Sequence, residues 1–166
     1  MVAEAAAEAV DARGRFTWAV SGGRTPWAML ARLAERIPWE RTTVFQVDER
    51  VAPDGDPDRN LVHLERALPL DRVELRPMPV TAADLDAAAA EYAASLPAAF
   101  DLVHLGLGAD GHTASLVPGD PVLGETDRDV ALTGIYEGRR RMTLTYPTLD
   151  RARSILWLGV VSDTAA

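Results

Sequence analysis

Short, nearly uninterrupted apolar runs recur along this chain, in RFTWAV, TTVFQV, FDLVHLGL and ILWLGVV, and helical patterns stand between most of them. A strand that is apolar at consecutive positions must be covered on both faces, and that is the condition of a strand inside a parallel sheet flanked by helices. The alternation therefore predicts an α/β fold, a three-layer α/β/α arrangement around a mainly parallel, Rossmann-like sheet. In such sheets ligands gather where strands deliver their carboxyl ends into loops. The loops in that position are SGGRTP, DERVAPDGDPDRN and GADGHTAS.

The helical segments have their own signals. The alanine-rich opening reads as a helix ending near Gly14. TPWAMLARLAERI opens with Thr25 placed to cap it and Pro26 suited to the first turn, and Met29, Leu30, Leu33 and Ile37 recur at helical spacing. LVHLERAL has its apolar positions on one side, and AADLDAAAAEYAASL keeps Leu85, Tyr92 and Leu96 on a common face. VELRPMPV, DVALTGIY and RRMTLTY are further strand candidates, and a helix is expected across TLDRARS. With no internal repeat or linker in its 166 residues, the chain is expected to form one domain across 1–166.

Composition narrows the function. A formal net charge of −8 offers no basic face, so nucleic acid is not an expected partner. No apolar run approaches the roughly 20 residues that span a bilayer, and MVAEAAAEAVDARG lacks a basic leader. A cytoplasmic, membrane-independent monomer is the expectation, with oligomers left open. There is no cysteine, and the three histidines, His63, His104 and His112, are dispersed, so no metal is expected. All 17 basic residues are arginine. Schiff-base chemistry on lysine is thereby closed, and any side-chain cation gripping an anion must be a guanidinium.

Each of the three loops has a plain reading and a chemical one. In SGGRTP, Gly22 and Gly23 let backbone amides approach a ligand, Ser21 and Thr25 add hydroxyls, and a helix N-terminus follows, which together make an anion cradle; the plain alternative is a glycine turn with a Thr-Pro cap. Asp48, Glu49 and Arg50 at a strand end are either a solvated loop or a set of carboxylates for sugar hydroxyls and protons beside a cation for developing negative charge, with Asn60 as a further hydrogen-bonding group. GLGADG matches GxGxxG through Gly106, Gly108 and Gly111, but HTASLVPG reaches Pro118 and Gly119 too soon for the helix that a dinucleotide needs. The loop better suits the display of Asp110 and His112, and an imidazole titrating near 6.5 serves as a base without heavy tuning. His63 and His104 read as structural hydrogen-bonding groups.

SGGRTP, VDER with DRN downstream, GLGADGHTASLVPG and RRMTLTYPTLDRAR follow one another in the order and approximate spacing of the 6-phosphogluconolactonases, which share a superfamily with the glucosamine-6-phosphate deaminases. The resemblance runs from about Phe16 to the C-terminal end. It implies a sheet of the glucosamine-6-phosphate deaminase and ribose-5-phosphate isomerase type. The activity implied is hydrolysis of 6-phospho-D-glucono-1,5-lactone in the oxidative pentose phosphate pathway, on a small phosphosugar lactone and without cofactor or metal. By the same resemblance the phosphate lies near Gly22, Gly23 and Thr25 and against Arg141. His112 is the general base toward water, Arg50 orients the lactone or its oxyanion, and Asp48 and Asp110 hold hydroxyls or the imidazole. The deaminases continue after the histidine with Ile-Ala-Phe-Asn-Glu, whereas Thr113, Ala114, Ser115, Leu116 and Val117 follow here, which favours the lactonase over the isomerase. Thr164 stands where the family pattern has a lysine, and the domain is expected to be shortened at its C-terminal end. A sugar-phosphate-binding scaffold without catalysis is the remaining alternative.

Overall fold

The structure, a computed structural model, describes residues 1–159. A five-stranded parallel sheet forms its centre, in the order β4 (Glu74–Arg76), β2 (Thr42–Gln46), β1 (Phe16–Val20), β5 (Leu102–Leu105), β8 (Ile155–Trp157). The mainly parallel α/β sheet expected from the apolar runs is thus what the chain forms. Side chains alternate across this sheet, as they must with a period of two. Phe16, Trp18, Val20, Val44 and Leu102 point into one core with residues of α1 (Val2–Arg13), α2 (Arg24–Leu33) and α3 (Asn60–Ala67). Ala19, Phe45, Val103 and Leu105 point into a second core with Ala88, Ala89 and Tyr92 of α4 (Leu85–Ala94) and Leu149 of α5 (Tyr146–Asp150). Trp18 and Trp39 are wholly buried in the first core, where truncation of an aromatic to alanine costs about 3–5 kcal/mol.

Sequence alone did not separate a second sheet. VDER was expected to run straight from strand into loop. Instead Asp48–Arg50 is a strand, β3, in a small antiparallel sheet ordered β3, β7 (Arg141–Leu144), β6 (Val130–Leu132). Val47 makes the transfer between sheets: its N–H donates to the Val20 carbonyl of β1 at 3.1 Å, and its own carbonyl accepts from Leu144 N–H of β7 at 2.8 Å. One wholly buried residue therefore belongs to both ladders. Polar groups fix the bend. The Tyr92 hydroxyl accepts from Gln46 N–H at 3.0 Å, and the Gln46 amide donates to Glu49 and accepts from Met78 N–H, each at 2.8 Å. Burial holds the Tyr92 phenol protonated, far above its ordinary value.

Other expectations shift at their edges. The helix expected across TLDRARS ends at Asp150. α2 begins two residues earlier than expected, with Gly23 rather than Thr25 at its N-cap, and Pro26 falls in its first turn. Val160, Val161 and Thr164, the tail of the last expected strand and the position of the family lysine, lie outside the described residues. Among the described residues no helix is long and apolar enough to cross a membrane.

Candidate active site

The chain winds outward from β1 to β2 and β4, then returns to the other side of β1 for β5 and β8. The carboxyl ends of β1 and β5 therefore send their loops in opposite directions, and a crevice opens between them; this is where open α/β sheets bind ligands. SGGRTP leaves one strand and GLGADGH leaves the other. The second sheet brings β3 and β7 over the same crevice.

Two adjoining hollows occupy it, of about 560 Å³ and 190 Å³, and Gly23, Arg50, Asn60 and Arg141 line both. Ser21, Gly22, Asp48, Gly108 and His112 line the smaller, while Trp27, His63, Glu137 and Arg139 line the larger. The combined space suits a small polar ligand. Arg50 and Arg141 are directly opposite each other in the β3–β7 register. Like charges in that relationship repel unless an anion lies between or beside them. Arg141 is buried, with one nitrogen donating to Glu137 at 2.8 Å, its guanidinium carbon 4.9 Å from the Tyr136 ring centre, and its Nε without a partner among the described residues. Arg50 donates to the Asn60 side-chain oxygen at 2.5 Å and to the Asp58 carbonyl at 3.1 Å.

Asn60 in turn donates to the Asp48 carbonyl at 3.0 Å. Its side chain fills the space over residue 22 so closely that a Cβ there would lie 1.8 Å from its oxygen, so only glycine fits. Residue 108 is constrained in the same way by the histidine: a Cβ would lie 2.2 Å from Cε1 of His112, so the imidazole rests on the bare backbone of Gly108.

His112 and Asp110 form a dyad, with Nδ1 and Oδ1 2.5 Å apart. The hydrogen bond from the His112 ring, then that from its backbone N–H, and the Tyr136 hydroxyl bond together hold the Asp110 carboxyl down at about 2. An ionised carboxylate only accepts, so a neutral imidazole carries its proton on Nδ1 and leaves Nε2 with a free lone pair. The histidine loop is tied down beyond the dyad: Ser115 donates to the Asp48 carboxylate at 2.6 Å, and Ser115 N–H donates to the Thr143 hydroxyl at 3.3 Å. No helix opens at Gly111, where the chain instead continues as turn and bridge to Pro118, so the GxGxxG match lacks the element that would bind a pyrophosphate.

The expected site residues thus divide. Ser21, Gly22, Gly23, Asp48, Arg50, Asn60, His112 and Arg141 meet at the crevice, and Asp110 reaches it through His112. Thr25 lines neither hollow. Glu49, expected among the hydroxyl-binding groups, is wholly buried instead. Its oxygens accept from the backbone N–H groups of Arg50, Asn60 and Leu61, each at 2.8 Å, so it satisfies the N-terminus of α3 from outside the helix. Ser21 donates to the His104 carbonyl at 2.9 Å, which ties β1 to β5 below the crevice. Tyr136, Ser115 and Arg59 had not been singled out by sequence. Arg59, buried beside Glu49 at 3.8 Å, also pairs with Asp54. Of the other histidines, His63 stacks on Trp27 and meets the Pro57 carbonyl at 3.0 Å, whereas both ring nitrogens of His104 lack a partner among the described residues. No cluster of three or more His, Asp or Glu among the described residues is arranged to hold a metal ion.

A family model described as glucosamine-6-phosphate isomerases/6-phosphogluconolactonase matches residues 1–163. The chain is 40% identical over 167 residues to a 6-phosphogluconolactonase of Synechocystis, an alignment covering 91% of this chain and 69% of that protein. It is 36% identical to the 6-phosphogluconolactonase of Streptomyces coelicolor, over 99% and 76% of the two chains. A crystal structure of a 6-phosphogluconolactonase from Shewanella baltica superposes with a TM-score of 0.84 at 28% identity, over 94% of this chain and 72% of that one. With matches of this extent, the chain belongs to the glucosamine-6-phosphate isomerase/6-phosphogluconolactonase family.

Proposed function

We propose that the protein hydrolyses 6-phospho-D-glucono-1,5-lactone to 6-phospho-D-gluconate, as a cytoplasmic enzyme of the oxidative pentose phosphate pathway acting on a small phosphosugar lactone. The observation that carries this reading is the presence, in one crevice, of a carboxylate-oriented imidazole and two facing arginines. Nε2 of His112 takes a proton from water as the water oxygen attacks the lactone carbonyl. Arg50 faces the oxygen that becomes negative. As the tetrahedral intermediate collapses, the ring C–O bond breaks, and the imidazolium gives its proton to the departing ring oxygen, which leaves as a hydroxyl. Positioned base catalysis of this kind is worth about 10²- to 10⁴-fold. Arg141 supplies paired N–H donors to the phosphate, a task for which a planar guanidinium is suited, and the bare amides of Gly22 and Gly23 complete the cradle. Asp48 and Asn60 remain for sugar hydroxyls.

Purified protein is expected to accelerate opening of the lactone above its spontaneous rate, and His112→Ala to abolish that acceleration with an unchanged circular dichroism spectrum. Wild-type and variant rates both equal to the spontaneous rate would reject the reading.

A further inference from the structure

The dyad and Arg141 are joined by a residue to which neither the family motifs nor the mechanism above assigns a task. Tyr136 sits in a two-residue hairpin between β6 and β7, where Glu137 and Gly138 both have positive φ, 52° and 79°, and Tyr136 and Arg139 exchange backbone hydrogen bonds at 2.9 and 3.2 Å. The turn places its ring between the two halves of the site. Its hydroxyl donates to Oδ2 of Asp110 at 2.9 Å, its ring meets the His112 imidazole edge-on with centres 5.4 Å apart, and the Arg141 guanidinium lies 4.9 Å from its ring centre. One side chain therefore touches the base, the carboxylate that orients the base, and the cation assigned to the phosphate.

We infer that Tyr136 is a positioning residue for the lactonase reaction, its hydroxyl fixing Asp110 against His112 and its ring holding Arg141 in register with them. The inference rests on the lactonase reading. Asp110 is two-fifths exposed and lies in a glycine-rich loop, and both of its bonds from His112, ring and backbone N–H, fall on Oδ1; the tyrosine occupies Oδ2 and restrains the carboxylate from turning about that one oxygen. The hydrogen bond to Asp110 raises the phenol above its ordinary value, so it remains a donor. The groups facing His112 are Asp110 and Tyr136, with Arg50, Asp48 and Arg141 along the same hollow. A donor on Oδ2 withdraws negative charge from Asp110. Without it the carboxylate holds an imidazolium more tightly, and the base stays protonated to higher pH.

The hydroxyl and the ring are tested separately, in steady-state assays of 6-phosphogluconolactone opening corrected for the spontaneous rate. Tyr136→Phe keeps the ring and loses the hydroxyl. It is expected to lower kcat several-fold, leave KM near the wild-type value and move the acid limb of kcat/KM to higher pH. Tyr136→Leu loses both and is expected to add a several-fold rise in KM for the phosphorylated lactone. A Tyr136→Phe enzyme with wild-type kcat and acid limb overturns the inference, as does a fall in kcat with the acid limb unmoved. A wild-type protein no faster than spontaneous opening overturns the lactonase reading itself, and this assignment with it.

Discussion

Arg50 of β3 and Arg141 of β7 stand directly opposite each other across an antiparallel ladder, at the point where the two hollows of the crevice join. Both arginines line the crevice of a chain of net charge −8, and screening over about 8 Å at physiological salt limits what distant carboxylates do to them. Cations placed opposite each other favour an anion beside them, a part that Glu137 plays for Arg141 and that a substrate phosphate can take. Removing one arginine should therefore act on the anionic part of the substrate. Arg141→Ala is expected to raise KM for 6-phosphogluconolactone about 10- to 100-fold, the range of one charged hydrogen-bonded contact, while changing KM for unphosphorylated gluconolactone little. Steady-state kinetics on the two lactones decide it. Equal effects on both would show that Arg141 does not read the phosphate.

Glu137 holds Arg141 at 2.8 Å and is itself two-thirds exposed. An exposed carboxylate gains little from such a pair, typically under about 1 kcal/mol. Under the proposed function it competes with the substrate phosphate for the same nitrogens, however. Glu137→Gln is expected to lower KM for the phosphorylated lactone by up to about fivefold, with kcat unchanged and the difference shrinking as salt is added. An unchanged or raised KM would show that the carboxylate does not compete for the arginine.

The imidazole lies on the backbone of Gly108, and a methyl group there would occupy its place. Gly108→Ala must push the ring away from Asp110 or shift the loop. Since the ring is three-quarters buried and the loop is closed by the Gly108 N–H bond to the His112 carbonyl at 2.8 Å, activity should fall at least about 10²-fold while the melting temperature stays near wild type. Paired melting and rate measurements test this. Loss of both together would mean that residue 108 serves the fold rather than the base.

Much of the crevice was legible because its parts lie in short contiguous motifs. A strand end, a glycine pair and a helix start are local features, and so is the Asp110–Gly111–His112 spacing that closes the dyad. What sequence did not reveal depends on distance. VDER reads as a strand end passing into a loop because nothing local marks Val47 as the residue that leaves one sheet for another; that follows from its carbonyl meeting Leu144, 97 positions along. Glu49 looks like a site carboxylate beside Asp48 and Arg50, yet alternation along β3 sends it to the opposite face, where the amides of α3 take it up. Tyr136 carries no local sign at all, since its partner Asp110 is 26 residues earlier.

The buried role of Glu49 leads to a stability prediction distinct from any effect on catalysis. Its carboxylate satisfies three backbone N–H groups and lies 3.8 Å from the buried Arg59. Glu49→Ala leaves those donors and the guanidinium without their counterion, and removing one member of such a buried set costs about 3–5 kcal/mol. For a domain of this size that corresponds to a fall in Tm on the order of 10 °C. Thermal melts at neutral pH measure it. A shift of one or two degrees would mean that water or a rearranged Arg59 replaces the carboxylate.

His104 makes stability depend on pH in a definite direction. It is wholly buried in β5 between β1 and β8, both ring nitrogens lack partners among the described residues, and burial pushes its imidazole down to about 4. In the unfolded chain the same group titrates near 6.5. Between those values the unfolded chain binds a proton that the folded one refuses, so stability is fully present above about 6.5 and falls as pH drops toward 4. The shift is worth roughly 3 kcal/mol across the window. His104→Leu, close in volume and without a proton to bind, is expected to flatten the pH dependence between about 6.5 and 4, while Asp110, held near 2, still contributes its own loss at lower pH. Denaturant melts of the two proteins across that range provide the measurement. Parallel curves would show that the imidazole is solvated or protonated in the native state.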